Sequence, residues 1–213
     1  MKEKVLGAGQ AVLIALVILT GSIALPILFR PFFYWHIAPL NLTEQVGLTA
    51  AQVKTAYNQM MDFCIGLTDT FSAGVLDWSE AGREHFVDVR KLFVLDLRVL
   101  AGASALLAVI ALLRRRKPVR LGNRTPGFWG SVGLGAAFLT VGGLAALDFD
   151  RAFVVFHQLF FPGKDNWLFD GQTDPIIYML PSAFFRNCAI LILATVLVSC
   201  GVLIMRDLLV RRK

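Results

Sequence analysis

Residues 92–113 read LFVLDLRVLAGASALLAVIALL and run straight into Arg114-Arg115-Arg116-Lys117. As a helix, the apolar run is long enough to cross ~30 Å of hydrocarbon. The basic cluster behind it marks the side on which the chain stops. Three further runs share this character: about residues 11–29, 128–147 and 188–205. The reading is an all-α integral membrane protein with four transmembrane helices, forming a single membrane domain over residues 1–213. The first run, following Lys2 and Lys4, has the length of a retained signal-anchor. A Pro-aromatic stretch follows it instead of a small-residue cleavage site.

Composition agrees. The chain has 213 residues, of which 56% are hydrophobic, and a mean hydropathy of +0.65. Soluble domains sit nearer about 45–50% apolar. The net charge of +6 is concentrated beside apolar runs, where it sets orientation, so no nucleic-acid partner is expected. Cys64, Cys188 and Cys200 show no paired spacing, and neither a disulfide framework nor a zinc site is signalled.

Charge alternates between the connections. Segments 30–91 and 148–186 carry more acid than base, whereas loop 114–127 carries only base. The positive-inside rule then places both termini and loop 114–127 in the cytoplasm, and the two longer segments on the extracytoplasmic side. Span three is rich in small residues. Ser131/Gly135 and Gly142/Ala146, each four apart, predict faces on which helices approach closely.

Both outer segments predict amphipathic or interfacial helices. Thr49 and Gln52 form a capping box. Val53, Tyr57, Met60, Met61 and Cys64 then trace an apolar face at helical spacing. Ser79 starts a helix that continues through His85 and Asp88 into span two. Residues 152–161 form an aromatic-rich helix broken by Pro162-Gly163. Asp174-Pro175 suits a further helix start, with Asp174 as its cap. Outer segments so rich in Phe and Trp are expected to sit half sunk in the lipid.

Within these segments His85 and His157 are the candidate catalytic residues. His85 and Asp88 share a helix face, so Asp88 is expected to support His85 by orienting its imidazole or raising its basicity. His157 lies among phenylalanines, where desolvation should depress its pKa and favour the neutral, base-competent ring. Blander readings stay open for both: an interfacial histidine for His85, and a core histidine satisfied by a backbone carbonyl for His157. His36, beside Tyr34-Trp35, reads as an interfacial ring. Trp167, Phe156 and Phe160 are the candidate substrate contacts. No metal-ligand spacing, serine-nucleophile elbow or phosphate-cradling loop occurs, so neither a metal nor a cofactor is expected.

His85-Phe86-Val87-Asp88-Val89-Arg90, Phe156-His157-Gln158-Leu159-Phe160-Phe161, Asn166-Trp167-Leu168, and Leu180-Pro181 with Phe184-Phe185 occur in this order. Over nearly the whole chain they resemble the bacterial lipoprotein intramolecular transacylase family. The resemblance implies an acyltransferase of the cell membrane with its site on the extracytoplasmic side; a monomer is expected. Its partners would be diacylated lipoproteins and membrane lipid. It would move the sn-2 acyl chain of a diacylglyceryl-cysteine to the α-amino group of the same cysteine, leaving a lyso-form lipoprotein. His85 and His157 would transfer the protons. Another membrane lipid hydrolase or acyltransferase, or a non-enzymatic assembly or transport subunit, is the competing expectation.

Overall fold

In lipid an isolated segment can satisfy its backbone N–H and C=O groups only within itself, so the apolar runs become helices. The computed structural model describes residues 2–210. Its elements are α1 (Lys2–Leu28), α2 (Pro31–Tyr34), α3 (Leu42–Val46), α4 (Ala50–Cys64), α5 (Glu80–Leu113), α6 (Pro126–Leu147), α7 (Phe149–Phe160), α8 (Ile176–Met179) and α9 (Ser182–Val210). No β-strand forms among the described residues, and one isolated bridge pairs Leu121 with Arg124. Four helical stretches are long and apolar enough to cross a membrane: Glu3–Leu28, Glu80–Leu113, Pro126–Leu147 and Ser182–Val210. Large apolar side chains on them, including Leu106, Leu112, Leu139, Leu144 and Val198, stay exposed, as suits a surface facing hydrocarbon.

The helices outrun the apolar runs, because a helix continues through polar flanks that hydropathy does not register. Helix α5 is the clearest case. Its 34 residues span about 51 Å. Ser79 starts it: the Ser79 Oγ accepts from the Gly82 N–H at 3.0 Å, satisfying one orphan donor of the first turn. His85 and Asp88 therefore occupy its opening turns, ahead of the apolar run that begins at Leu92.

The chain packs as two compact units. Residues 2–25, 96–146 and 190–210 belong to the first. Within it, a Cβ on Gly130 would meet the Ala11 carbonyl oxygen at 2.5 Å, and one on Gly142 would meet Leu193 at 2.7 Å. Glycine at these positions lets α6 lie against α1 and α9. The small-residue faces expected on this span are used unequally. Ser131 and Gly135 are buried, whereas Ala146 is exposed. At one end of this unit Asp207 is buried, accepting from Arg124 Nη1 at 3.0 Å and from the Thr125 N–H at 2.9 Å. Both its oxygens are therefore satisfied, as burial of a charge requires.

Residues 26–95 and 147–189 form the second unit. Its core is aromatic. Phe33 stacks on Tyr57 with centroids 3.7 Å apart, and Phe184 meets Phe33 edge-on at 5.3 Å. The Thr49–Gln52 capping box forms, and α4 buries Val53, Tyr57, Met60, Met61 and Cys64, the face expected from their spacing. All three cysteines are free. Gly74, at a φ of +68°, brings the chain against the Ala56 backbone, where a Cβ would find 3.1 Å. A second aromatic series runs Phe63, Phe71, Phe86, Phe169, with successive centroids 5.4, 5.0 and 5.8 Å apart.

The segment after α7 departs from its sequence reading in one respect. Asp174 does not cap the helix that follows it; α8 begins without a side-chain cap after Pro175. The Asp174 carboxylate instead reaches across to accept from the Ser79 N–H at 2.8 Å and from the Thr173 hydroxyl at 2.9 Å. A buried carboxylate takes the partner that compensates its desolvation best. The start of α5, with its unpaired N–H groups, is that partner.

Candidate active site

His85 and His157 come together in the second unit. Their ring centroids lie 5.8 Å apart with planes inclined by 31°, and the residues are 6% and 7% exposed. Two different devices bring them there. His85 rides on the second turn of α5, whose start is held by Ser79 and Asp174. His157 rides on α7, which the Asp148 side chain caps by accepting from the Arg151 N–H at 3.0 Å.

Helix α7 turns one face inward. Phe153, His157 and Phe161 lie four residues apart, and Phe153 and Phe161 pack on the imidazole at 4.2 and 5.7 Å. Val155, Phe156, Leu159 and Phe160 are exposed on the remaining surface. The two rings thus sit at the border between a packed aromatic interior and an open apolar flank.

The tautomer of His157 follows from its partner. Its Nδ1 lies 2.8 Å from the Phe153 carbonyl oxygen. A carbonyl can only accept, so Nδ1 carries the proton and donates it. In the neutral ring Nε2 is then left with a free lone pair. Burial of the ring pulls the His157 pKa below its ordinary value, against a smaller upward pull from the Phe153 carbonyl. The neutral form dominates at neutral pH. His157 is both a backbone-satisfied core histidine and a ring able to accept a proton, so the two sequence readings are not exclusive.

His85 is held by packing. Phe161 and Phe169 meet it edge-on at 4.9 and 5.5 Å, and its buried Nδ1 has no hydrogen-bond partner among the described residues. An unpaired buried polar atom costs about 1–3 kcal/mol, so this nitrogen is open to a partner brought by a bound molecule.

Asp88 was expected to support His85. Its carboxylate accepts from two ammonium groups, Lys91 at 2.9 Å and Lys164 across the fold. A buried carboxylate gains more from a cation than from a neutral imidazole. Of the expected substrate contacts, Trp167 lies on His157, with centroids 4.6 Å apart and planes at 27°. Phe156 meets His157 edge-on at 5.4 Å, and Phe160 packs on Phe156 at 4.6 Å. Both phenylalanines are about half exposed. His36 stands apart from the pair, its Nδ1 2.7 Å from the Phe32 carbonyl oxygen and its ring against Phe184.

Three participants escaped the sequence reading: Lys164, Phe161 and Phe169. Lys164 carried a faint signal, as the only lysine or arginine between Arg151 and Arg186. Among the described residues no group of three or more histidine, cysteine or acidic side chains could hold a metal ion. A hollow of about 380 Å³ opens in the same unit between Gln59, Asp62, Leu67, Thr68, Thr70 and Ser72. Neither imidazole lines it, and the candidate site is defined by the side-chain cluster around His85 and His157.

The chain matches the family model described as Lipoprotein intramolecular transacylase Lit over residues 8–185. No curated protein sequence matches it. Among solved structures it is similar to the membrane integral lipoprotein intramolecular transacylase Lit from Bacillus cereus, in meso. Identity is 25% and the TM-score 0.88, with 99% of this chain and 97% of that one covered. Two structures of that enzyme with one histidine replaced, by arginine or by alanine, align at TM-scores of 0.80 and 0.79 over 99% of this chain, again at 25% identity. They cover 94% and 96% of those chains. With a family model covering most of its length and a membrane integral fold shared from end to end, this chain belongs to the lipoprotein intramolecular transacylase family and is an integral membrane acyltransferase.

Proposed function

We propose that the protein moves the sn-2 acyl chain of a diacylglyceryl-cysteine lipoprotein to the α-amino group of the same cysteine, with His85 and His157 as its proton-transfer residues. The observation that carries the reading is the 5.8 Å separation of two buried imidazoles contributed by different helices. A free α-amine of pKa about 8 is mostly protonated at neutral pH. It must lose a proton before its nitrogen can attack the ester carbonyl carbon. The sn-2 oxygen must gain one as its bond to that carbon breaks. The net change is an O-to-N acyl shift that consumes neither water nor a second acyl donor.

Nε2 of His157, freed by the Nδ1 hydrogen bond to Phe153, suits the first task. His85 then serves the ester side, passing the proton that His157 has taken from the amine on to the leaving oxygen, so that both rings end neutral. Nucleophile and ester belong to one molecule, so orientation supplies much of the acceleration. The exposed apolar flank of α7 suits the substrate's acyl chains. Charge asymmetry between the connections supports a site on the extracytoplasmic side of the cell membrane. A monomer suffices, since both rings come from one chain.

The test is conversion of a synthetic diacylated lipopeptide by purified protein, with the N-terminal product read by mass spectrometry. The expected product is the lyso-form, and His85→Ala and His157→Ala each lower its yield by at least about a hundredfold, the low end for general acid–base groups. Undiminished lyso-form from both variants would sink the mechanism.

A further inference from the structure

We propose that the Asp88–Lys164 ion pair is a latch that positions Trp167 over His157, making Lys164 and Asp88 positioning residues for the His157 side of the site. This rests on the reading of His157 as a proton-transfer residue.

After α7 the chain must turn back toward α5, and Pro162-Gly163 lets it do so, with Gly163 at a φ of +72°. Pro162, Gly163, Lys164 and Asp165 are all exposed, and the apolar packing of the return on α5 begins further on, at Phe169. At the turn itself the anchor is electrostatic. Lys164 reaches Asp88, one helical turn beyond His85 on α5. The Lys164 side chain is half exposed, whereas the Asp88 side chain is only 10% exposed. The carboxylate is thus the fixed partner and the lysine the arriving one.

Lys164 also works through its backbone. Its carbonyl oxygen accepts from the Trp167 indole N–H at 3.0 Å, and that indole lies on His157. A single residue thereby links Asp88 to the face of the imidazole. Without the side-chain tether the indole is referred to α5 through the packing of Phe169 on His85 and Phe86 alone, and water gains access to a ring that burial keeps neutral. The ionisable groups gathered here are His85, Asp88 and Lys91 from α5, His157 from α7, and Lys164 from the return. Lys91 already satisfies one Asp88 oxygen, so its presence leaves the carboxylate charged when Lys164 is removed.

The experiment compares Lys164→Met, Asp88→Asn and the exchanged pair Asp88→Lys with Lys164→Asp. Each is assayed on the diacylated lipopeptide across pH, beside His157→Ala. The expected result is a drop of about tenfold in kcat for each single variant, with KM changed less. The acidic limb of the pH profile should move to higher pH as the His157 ring becomes hydrated, and the exchanged pair should regain part of the loss. Thermal unfolding of Lys164→Met should change little, because the lysine is half exposed and Lys91 still pairs with the Asp88 carboxylate. Wild-type conversion and an unmoved acidic limb in Lys164→Met would overturn the proposal. So would a loss that leaves the limb in place and is not recovered by the exchange, the pattern of a general folding defect. Either result alongside an inactive His157→Ala condemns the latch alone, whereas an active His157→Ala condemns the reading beneath it.

Discussion

Trp167 lies on the face of His157, ring centroids 4.6 Å apart and planes inclined by 27°. The stack shields the imidazole from water on one side and sets its tilt. Replacing Trp167 with leucine should lower lipopeptide conversion by about tenfold, equivalent to about 1.4 kcal/mol of barrier and within the worth of an aromatic pair. Trp167→Phe keeps the stacking face but loses the N–H bond to Lys164, and should fall between. Conversion at fixed substrate, read by mass spectrometry, ranks the three proteins.

The hydrogen bond from His157 Nδ1 to Phe153 predicts different outcomes for two isosteric changes. His157→Asn can still donate to the Phe153 carbonyl, since its amide nitrogen occupies the Nδ1 position. It should keep the fold, seen as a thermal midpoint within a few degrees of wild type, and lose at least about a hundredfold in conversion. His157→Gln places its polar group at the Nε2 position and leaves the Phe153 side empty. It should be equally inactive and less stable, because an internal hydrogen bond is worth about 1 kcal/mol.

Burial lowers the His157 pKa below its ordinary value, which fixes the sign of the pH dependence. A neutral base is needed, so conversion should hold at neutral pH and decline on acidification with a midpoint below about 6.5, the unperturbed histidine value. The same shift acts on stability. In the unfolded chain His157 takes up its proton near the ordinary value, whereas the folded protein resists it. The contribution is thus complete above about 6.5 and lost as pH falls through the folded pKa. A pH–rate profile with a midpoint above 7 would contradict the burial.

Glycine 82 offers a test with an unusual sign. In most helix positions Gly→Ala stabilises by about 1 kcal/mol. Here a Cβ would stand 2.2 Å from Asp174 Oδ1 and 3.2 Å from Phe169 Cε1. It would displace the buried carboxylate from the Ser79 N–H and push the ring that packs on His85. Gly82→Ala should therefore destabilise by about 1–3 kcal/mol and reduce conversion, as measured by thermal unfolding in detergent beside the lipopeptide assay.

Cys64 should be chemically silent. Burial pushes its thiol up to about 12, only partly opposed by Arg90, and the thiolate is the reactive form. Maleimide should leave Cys64 unmodified in the folded protein at pH 7.5 and modify it after denaturation, as peptide mass mapping would show.

Much of the architecture could be read from the chain because its determinants are local. Hydropathy over about 20 residues found the four spans. The Thr49–Gln52 box and the spacing of Val53, Tyr57, Met60, Met61 and Cys64 found α4 and its buried face, since capping and periodicity act within a few turns. Ser79 as the start of α5 was legible for the same reason. Asp174 was misread on the same local logic. Its neighbour Pro175 suggested a cap for α8, but the partner it takes, Ser79, lies 95 residues away.

The amino-acid order alone determined that this chain spans a bilayer, that its charges alternate between connections, and that two histidines stand in aromatic settings on separate segments. Only the tertiary structure decided that those rings meet at 5.8 Å, that Asp88 turns to Lys164, 76 residues away, and that Trp167 covers His157. Helical periodicity and hydropathy are sums over neighbours in sequence. The pairing of a buried carboxylate or imidazole depends on which groups the folded backbone delivers within a few ångströms, where desolvation makes the choice of partner decisive.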